Sequence, residues 1–279
     1  MSYIELNRSS FFNNLDIIAQ KTADTAKIAL VLKDNAYGHG LLEIARLAQE
    51  YGISKAVVRR EAEAEQIRGM FEYILVLSPC FPVSNTTDYN YTINTLADIE
   101  KFPAGSRVEL KVDTGMHRNG IAMDELEEAF KKIEAKKLSL EAVFMHHRSS
   151  DGMSAEWFWQ KKNFEDIKRR SLAYKKTLRF HSSNSAALFR SSDCDEDMVR
   201  VGIAAYGCLQ MEKGFEEIAL KPVLSLYADK ISTRVLRQGK RVGYNATFEA
   251  NEAMEVSNYD IGYADGLMRS LSNSYKTPD

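Results

Sequence analysis

The sequence has few cysteines and no long apolar segment. Its three cysteines, at positions 80, 194 and 208, are too few and too scattered for a disulfide framework, and no Cys-x-x-Cys pair offers a zinc site. No apolar run approaches the length that spans a bilayer, and the first residues, MSYIELNRSSFF, lack a basic region followed by a long apolar stretch. We therefore expect reduced thiols, no metal site and a cytoplasmic protein that does not bind a membrane.

The chain also lacks an excess of charge of either sign. It has 37 basic and 39 acidic residues and a formal net charge of -2. Because nucleic acids and anionic membranes attract proteins with a basic surplus, this balance points away from both partners and favours a small-molecule ligand. With 44% hydrophobic and 27% charged residues, the composition is that of an ordinary globular protein with a large core.

Short β-rich segments recur along the chain, with helical segments between them. The eight β-rich segments are KIALVLK (27–33), KAVVRR (55–60), YILVLS (73–78), YTIN (91–94), VELKVD (108–113), LEAVFMH (140–146), LRFHS (178–182) and MVRVGI (198–203). Two intervening segments show helical features: LLEIARLAQEYG has apolar residues at helical spacing and ends on Gly52, and residues 123–137 have acids early and lysines late. This alternation predicts parallel strands joined by helical crossovers.

The number of β/α units favours one fold class. About eight units within some two hundred residues are what a (β/α)8 TIM barrel requires, whereas a doubly wound sheet is the weaker alternative. After Gly207 the chain changes to short β-rich pieces broken by Gly and Asn, without a clear helix. We therefore predict a TIM barrel over residues 1–215 and a small, incomplete all-β domain over residues 216–279.

A lysine at the end of the first barrel strand is the most unusual feature. In a TIM barrel the reacting groups follow the carboxyl ends of the strands, and Lys33 ends the first one. A lysine there often forms a Schiff base, although for an arbitrary lysine the commoner outcome is a side chain that extends to water. The turn Gly38-His39-Gly40 leads into a helix, where backbone donors can approach an anion. These neighbours favour a functional lysine.

The seventh and eighth strands end in segments that can hold a phosphate. Ser185 follows the seventh strand near the start of a helix, and Gly202 and Ile203 follow the eighth. The loops after these two strands form the usual phosphate site of the fold. Each segment alone is ordinary, since Ser is a common N-cap and Gly a common turn residue. Together with Lys33 they indicate a phosphorylated aldehyde cofactor.

Six segments carry a resemblance to a known family. They are KDNAYGHG (33–40), LKVDTGMHRNG (110–120), MHHRSSD (145–151), HSSNSA (181–186), MVRVGIAAYG (198–207) and GYADG (262–266). In this order they resemble the motifs of alanine racemases, and the first segment is close to specific for that family. The resemblance covers nearly the whole chain. It implies racemisation of L-alanine and D-alanine, which in bacteria supplies D-alanine for peptidoglycan.

The resemblance implies pyridoxal 5'-phosphate (PLP) as the cofactor and assigns the central roles. Lys33 matches the lysine that binds PLP covalently and serves as one of two acid/base groups at the substrate α-carbon. Tyr244 matches the other group, which in the family comes from the partner subunit, so a homodimer is implied. Arg200 matches the arginine that faces the pyridine nitrogen. A permanent cation there keeps the ring unprotonated and favours proton exchange over transamination.

The resemblance also assigns residues around the cofactor and the substrate. Arg118 matches the arginine that reaches the cofactor phenolic oxygen and the substrate carboxylate, and Lys111 matches a lysine that is carbamylated in some members. Tyr263 matches a tyrosine at the substrate entrance. His146 matches the histidine hydrogen-bonded to the catalytic tyrosine, and the phosphate contacts are implied at Tyr37, Ser185, Gly202 and Ile203.

Structural roles remain open for several of these residues. His146 could be an ordinary buried histidine, Tyr244 a packing aromatic, and Arg118 and Arg200 ion-pair partners of Asp113 and Asp197. The chain ends soon after GYADG, whereas family members continue with a further β-rich stretch. A PLP-binding protein without turnover, either a decayed racemase or a PLP carrier, is therefore the alternative function, and a decarboxylase of similar architecture is a third.

Overall fold

The computed structural model describes residues 1–84, 87–192 and 194–272. It divides into two compact units: residues 7–223 form the larger one, and residues 1–6 together with the chain from residue 224 onward form the smaller one. The domain boundary near residue 215 stays a prediction.

The larger unit is built from eight short strands. The chain begins with β1 (Tyr3–Leu6), which belongs to the smaller unit. The strands of the larger unit are β2 (Ile28–Val31), β3 (Lys55–Val58), β4 (Tyr73–Val76), β5 (Asn90–Ile93), β6 (Arg107–Lys111), β7 (Ser139–Phe144), β8 (Arg179–His181) and β9 (Val199–Val201). Each overlaps one of the eight predicted β-rich segments, so these predictions are confirmed.

Helices connect these strands. They are α1 (Arg8–Thr22), α2 (Lys33–Tyr37), α3 (Leu41–Tyr51), α4 (Glu61–Gln66), α5 (Leu96–Ile99), α6 (Leu126–Ala135), α7 (Glu156–Tyr174) and α8 (Ser185–Arg190), with 3-10 turns at Thr25–Lys27 and Met123–Glu125. α3 ends at Gly52, whose φ of 98° is left-handed, as its position in the sequence predicts. Among the helices of the described residues, none is both long and apolar enough to cross a membrane.

The order of the strands identifies a barrel. All neighbouring strands are parallel, in the order β8-β7-β6-β5-β4-β3-β2-β9, so the last strand lies beside the first. A doubly wound sheet would instead reverse its order on either side of a central first strand. The (β/α)8 prediction is therefore confirmed and the doubly wound alternative is wrong. β2, β4 and β5 are buried along their whole length, because helices cover one face and barrel side chains the other.

The barrel contains an apolar cluster and, on other strands, buried polar residues. Ala29 and Val31 of β2 contact Val57, Tyr73, Leu75 and Met198 in one buried cluster. Glu109, His181 and Arg200 are also buried, at 0%, 0% and 5% exposure. Buried charges require partners, so these three residues mark a polar region within the barrel.

The smaller unit contains only strands and 3-10 turns within its described residues. Its strands are β1 and β10 (Leu224–Tyr227), β11 (Lys230–Leu236), β12 (Arg241–Val242), β13 (Phe248–Glu249) and β14 (Met254–Tyr259), with 3-10 turns at Tyr244–Ala246, Tyr263–Asp265 and Arg269–Leu271. Three antiparallel pairs form, β1 with β10, β11 with β14 and β12 with β13. The all-β character is confirmed, while the pairing of the chain's first strand with β10 was not predicted.

Candidate active site

A cavity of about 630 Å³ lies at the carboxyl ends of the barrel strands. This volume is in the usual range for small-molecule sites. Nine of the predicted site residues line it, namely Lys33, Tyr37, Lys111, Arg118, His146, Ser185, Arg200, Gly202 and Ile203. The other two, Tyr244 and Tyr263, belong to the smaller unit, where they are 79% and 68% exposed. The larger unit therefore brings together all the predicted site residues except Tyr244 and Tyr263.

Lys33 stands at the start of an unusual turn. β2 ends at Val31, and residues 34–37 all have φ between 53° and 57°, so α2 is a left-handed turn. This conformation costs roughly 1–2 kcal/mol per residue for L-amino acids. The turn is tied down by hydrogen bonds from the Asp34 N–H to Glu63 Oε1 (2.6 Å) and from the Leu41 N–H to Asn35 Oδ1 (2.8 Å). Lys33 therefore begins a turn whose backbone is strained and is held in place by hydrogen bonds.

The Gly-x-Gly turn does not supply anion donors. The N–H of Gly38 bonds to the Asp34 carbonyl, that of His39 to Ala36 and that of Gly40 to Asn35. None of residues 38–40 lines the cavity. The expectation that these N–H groups approach an anion is therefore wrong, because they are consumed in closing the left-handed turn.

Ser185, Gly202 and Tyr37 form a narrow cradle at one side of the cavity. The Ser185 Oγ accepts hydrogen bonds from the N–H groups of Gly202 (3.1 Å) and Ala204 (3.3 Å). With its oxygen occupied in this way, the hydroxyl can donate its own hydrogen. A Cβ on residue 202 would lie only 2.7 Å from Tyr37 Oη. The glycine thus keeps the space beneath the tyrosine open.

Arg200 lies at the floor of the cavity, and no acidic side chain among the described residues forms an ion pair with it. Its Nη2 donates to the carbonyls of Met145 (2.7 Å) and Ser182 (3.2 Å), and its Nη1 to His181 Nδ1. Asp197 accepts instead from the Phe180 N–H (2.7 Å), and the structural alternative of an Arg200–Asp197 ion pair is not observed among the described residues. A guanidinium held by carbonyls and an imidazole keeps its positive charge available to a ligand.

Lys111 lies in a cationic environment at the end of β6. The side chain is buried, at 8% exposure. Burial, followed by the positive charges of Arg200 and Arg118, lowers the pKa of Lys111 to about 8. A fraction of this amine is therefore neutral near physiological pH.

Arg118 is presented by a loop that Asp113 organises. Asp113 Oδ1 accepts the N–H groups of Gly115 (2.9 Å), Met116 (2.9 Å) and His117 (3.1 Å). Burial alone would raise the pKa of this carboxyl, but these N–H groups hold it below its usual value. Within the described ranges Arg118 makes no ion pair with Asp113, so its guanidinium is free to meet a ligand in the cavity.

His146 is neutral at physiological pH. Burial, with the nearby charges of Arg200 and Lys111, places its pKa well below the ordinary value. A neutral imidazole has one donor and one acceptor nitrogen. The residue can therefore accept a hydrogen bond from a hydroxyl group that enters the cavity.

The charges around the cavity favour an anionic ligand. Six cationic side chains line it, from Lys33, Arg59, Lys111, Arg118, Arg148 and Arg200, against the two carboxylates of Asp34 and Asp151. Arg59 pairs with Asp34 (3.0 Å) and Arg148 with Glu156. The remaining four cations have no acidic partner in the part of the chain that the structure describes. This surplus matches a ligand with phosphate or carboxylate groups.

Arg59 and Glu109 are charged residues of this region that were not among the predicted site residues. Arg59 lines the cavity beyond β3, and Glu109 lies under His181 within the barrel. Glu109 could have been noticed, because a carboxylate in the β-rich segment VELKVD is a candidate buried charge when both faces of the strand are covered. Arg59 follows an ordinary apolar strand and had no comparable signal.

Comparisons with known proteins agree with this architecture. The family model for the alanine racemase N-terminal domain matches residues 6–210, and that for the C-terminal domain matches residues 223–277. Curated alanine racemases from Nitratiruptor sp. and Campylobacter curvus are 44% and 43% identical over 274 residues, which are 96% of this chain and 81% and 80% of those proteins.

Solved structures show the same similarity. Alanine racemase from Bacillus anthracis superposes with a TM-score of 0.84 at 28% identity, covering 97% of this chain and 75% of that chain. The enzyme from E. faecalis gives 0.83 at 28% identity, with 97% and 77% coverage. The chain therefore belongs to the alanine racemase family, whose members are isomerases.

Proposed function

We propose that this chain racemises alanine with PLP bound through Lys33. The observation that carries the proposal is one cavity that brings together the Lys33 amine, the cradle of Ser185, Gly202 and Tyr37, and the buried guanidinium of Arg200. An amine suits an aldehyde, a narrow cradle with a hydroxyl donor suits a phosphate, and an arginine suits a ring nitrogen. The solved B. anthracis relative, described with bound L-Ala-P, supports an alanine-derived ligand.

The residues present fit the cofactor. Gly202 has no side chain where a Cβ would meet Tyr37, which leaves room for a group to approach the backbone. The four cations of the cavity that have no acidic partner in the described ranges match the negative charge of a phosphate. Tyr37, Ser185, Gly202 and Ile203 would hold the phosphate, and Arg200 would face the pyridine nitrogen.

Two side chains would move the substrate proton. When bound, PLP supplies an electron sink for the electrons left behind as the α-proton departs. Lys33 Nζ would take or return that proton on one face, and the Tyr244 hydroxyl would do so on the other. Neutral His146 would accept a hydrogen bond from this tyrosine and so hold its oxygen toward the α-carbon. Two proton carriers on opposite faces suffice to interconvert L-alanine and D-alanine.

Arg200 and Arg118 would orient the reactants. The Arg200 side chain donates and cannot accept, so a ring nitrogen facing it stays unprotonated. This weakens the electron sink and favours return of the proton to the same carbon. Arg118 would bind the substrate carboxylate, and a carbamate on Lys111 would give the Arg118 guanidinium a negative partner. Tyr263 would line the substrate entrance.

The wider biological proposal follows from the family. We propose a homodimer in which Tyr244 enters the partner's active site, a cytoplasmic location, and supply of D-alanine for peptidoglycan. The resemblance in six motifs and the identity of 44% to a curated relative support these assignments.

An absorbance and exchange experiment tests the central proposal. We expect the purified protein to absorb at about 420 nm and to lose this band on borohydride reduction, as a lysine-bound PLP does. Incubation with L-alanine in D2O should then give α-deuterated alanine and D-alanine by NMR.

Two lysine variants provide the matched controls. Lys33→Ala should lose the reducible band, whereas Lys131→Ala, on the exposed side of α6, should keep both band and exchange. Absence of the band in the unmodified protein would overturn the proposal. A band without exchange would instead establish the alternative, a PLP-binding protein without turnover.

A further inference from the structure

The carboxylate of Glu109 is buried, and His181 separates it from Arg200 at the floor of the cavity. Glu109, in the middle of β6, is 0% exposed, and it accepts hydrogen bonds from Tyr73 Oη (2.7 Å) and Arg179 Nη2 (2.9 Å) at Oε1. Its Oε2 lies 2.8 Å from His181 Nε2. Burial alone would raise the pKa of Glu109, but His181 and Arg179 hold it below its usual value. The group is therefore a carboxylate in the folded protein.

His181 lies between this carboxylate and Arg200. Its Nε2 faces Glu109, and its Nδ1 faces Arg200 Nη1. A guanidinium has donors only and a carboxylate has acceptors only. The ring must therefore accept at Nδ1 and donate from Nε2. A second proton on Nδ1 would face the arginine N–H, and burial together with Arg200 lowers the pKa of His181 accordingly.

We propose that Glu109 is a positioning residue for the reaction, because its carboxylate fixes His181 in the Nε2–H tautomer and thereby fixes the guanidinium of Arg200 at the cavity floor. The stacking of His181 on Phe144, with ring centroids 4.6 Å apart, holds the plane of the ring but cannot select a tautomer. The partners at the two ring nitrogens make that selection, Glu109 as the acceptor at Nε2 and Arg200 as the donor at Nδ1. The consequence for turnover rests on the proposed function, in which Arg200 faces the cofactor ring.

A purely structural role for Glu109 makes different predictions. In that case the carboxylate would serve only to neutralise Arg179, which also has Glu141 as a second partner (3.3 Å). Tyr73→Phe is the matched control, since it removes one hydrogen bond at Oε1 and leaves the Oε2–His181 bond intact. A role limited to neutralising Arg179 predicts that Glu109→Gln leaves the His181 tautomer unchanged, as Tyr73→Phe does, whereas a positioning role separates the two variants.

Histidine ¹⁵N NMR of the full protein tests the tautomer directly. The chain has five histidines, and His181→Gln identifies the signals of interest by their loss. We expect a neutral His181 with its proton on Nε2 in the unmodified protein and in Tyr73→Phe. In Glu109→Gln the amide presents a donor either to His181 or to the Tyr73 and Arg179 donors, so the Nε2–H population should fall. Glu109→Asp, which keeps a carboxylate, should retain it.

Kinetics then test the consequence. Glu109→Gln should lower kcat by about 10- to 100-fold, the size commonly seen when an outer partner of a functional side chain is removed, with a smaller change in KM. For Tyr73→Phe, kcat should stay within about threefold of the unmodified value.

If His181 in the unmodified protein is doubly protonated or carries its proton on Nδ1, the proposal is overturned, whether or not the variants fold. Equal effects of Glu109→Gln and Tyr73→Phe also overturn it. The tautomer is measured without substrate turnover, whereas failure of the proposed function appears as a missing absorbance band.

Discussion

The two units of this protein differ sharply in how they bury their residues. In the larger unit, strands such as β2 and β4 are buried at every position. In the smaller unit, Ala250 is the one described residue that is buried, and six of the seven residues of β11 are exposed. The barrel thus has a core of its own, whereas the residues of the described strands of the smaller unit are exposed or half-buried.

This difference corresponds to a division of chemical roles. The residues proposed to hold the cofactor all lie in the packed unit, where burial can shift a pKa and hold a guanidinium in place. The two proposed tyrosines lie in the open unit. Cofactor binding and proton transfer should therefore be separable by mutation.

The largest expected effect comes from the open unit. Tyr244→Phe should preserve the absorbance band yet slow α-proton exchange from L-alanine by about 10²- to 10⁴-fold, because it removes one of the two proton carriers. The control is Tyr259→Phe, an exposed tyrosine of the same unit, which should exchange normally. Undiminished exchange in Tyr244→Phe would refute the assignment and with it the division of roles.

A leucine-to-alanine substitution should affect stability very differently in the two units. Leu30→Ala, at a fully buried position of β2, should lower the free energy of unfolding by about 2–5 kcal/mol through lost contacts and a residual cavity. Leu226→Ala, at a position of β10 that is 51% exposed, should change it by about 0.5 kcal/mol or less. Urea denaturation followed by far-UV circular dichroism measures both. Equal losses would show a core in the smaller unit that its exposed strands do not reveal.

A glycine substitution tests the cradle of the packed unit. Gly202→Ala would place a Cβ 2.7 Å from Tyr37 Oη, so the tyrosine must move and PLP binding should weaken by about tenfold. Gly262→Ala is the control, since its Cβ meets nothing within 4 Å and its φ of -160° is ordinary. Titration of PLP into cofactor-free protein measures both affinities. Unchanged binding in Gly202→Ala would place the phosphate elsewhere.

The smallest effect concerns Lys111. Carbamylation joins a neutral amine to CO2 with release of a proton, and the pKa of about 8 provides neutral amine as pH rises through that value. In ¹³C-bicarbonate, a carbamate signal in the ¹³C NMR spectrum should therefore grow between about pH 7 and pH 9. Lys111→Arg, which stays protonated, should lack this signal. A signal that is absent, or that falls over this range, would leave Lys111 as a simple amine.

Much of the barrel could be predicted from local pattern. All eight barrel strands were found because each is a short apolar run bounded by turn residues, and α3 because its apolar spacing and Gly52 mark a helix. The left-handed turn after Lys33 was not predicted, since four non-glycine residues with positive φ contradict local preference. Nor was the pairing of β1 with β10, which joins residues more than two hundred positions apart.

The sequence by itself indicated the family, the barrel and nine of the residues around one cavity, because apolar periodicity and a near-specific motif are local properties that can be found without coordinates. The tertiary structure decided what those residues contact. The N–H groups of the turn bond to carbonyls of the same turn, Arg200 bonds to carbonyls and to His181 and has no acidic partner among the described residues, and Glu109 lies beneath His181. Burial and hydrogen bonding depend on neighbours that are distant in the chain, and only the folded barrel brings those neighbours together.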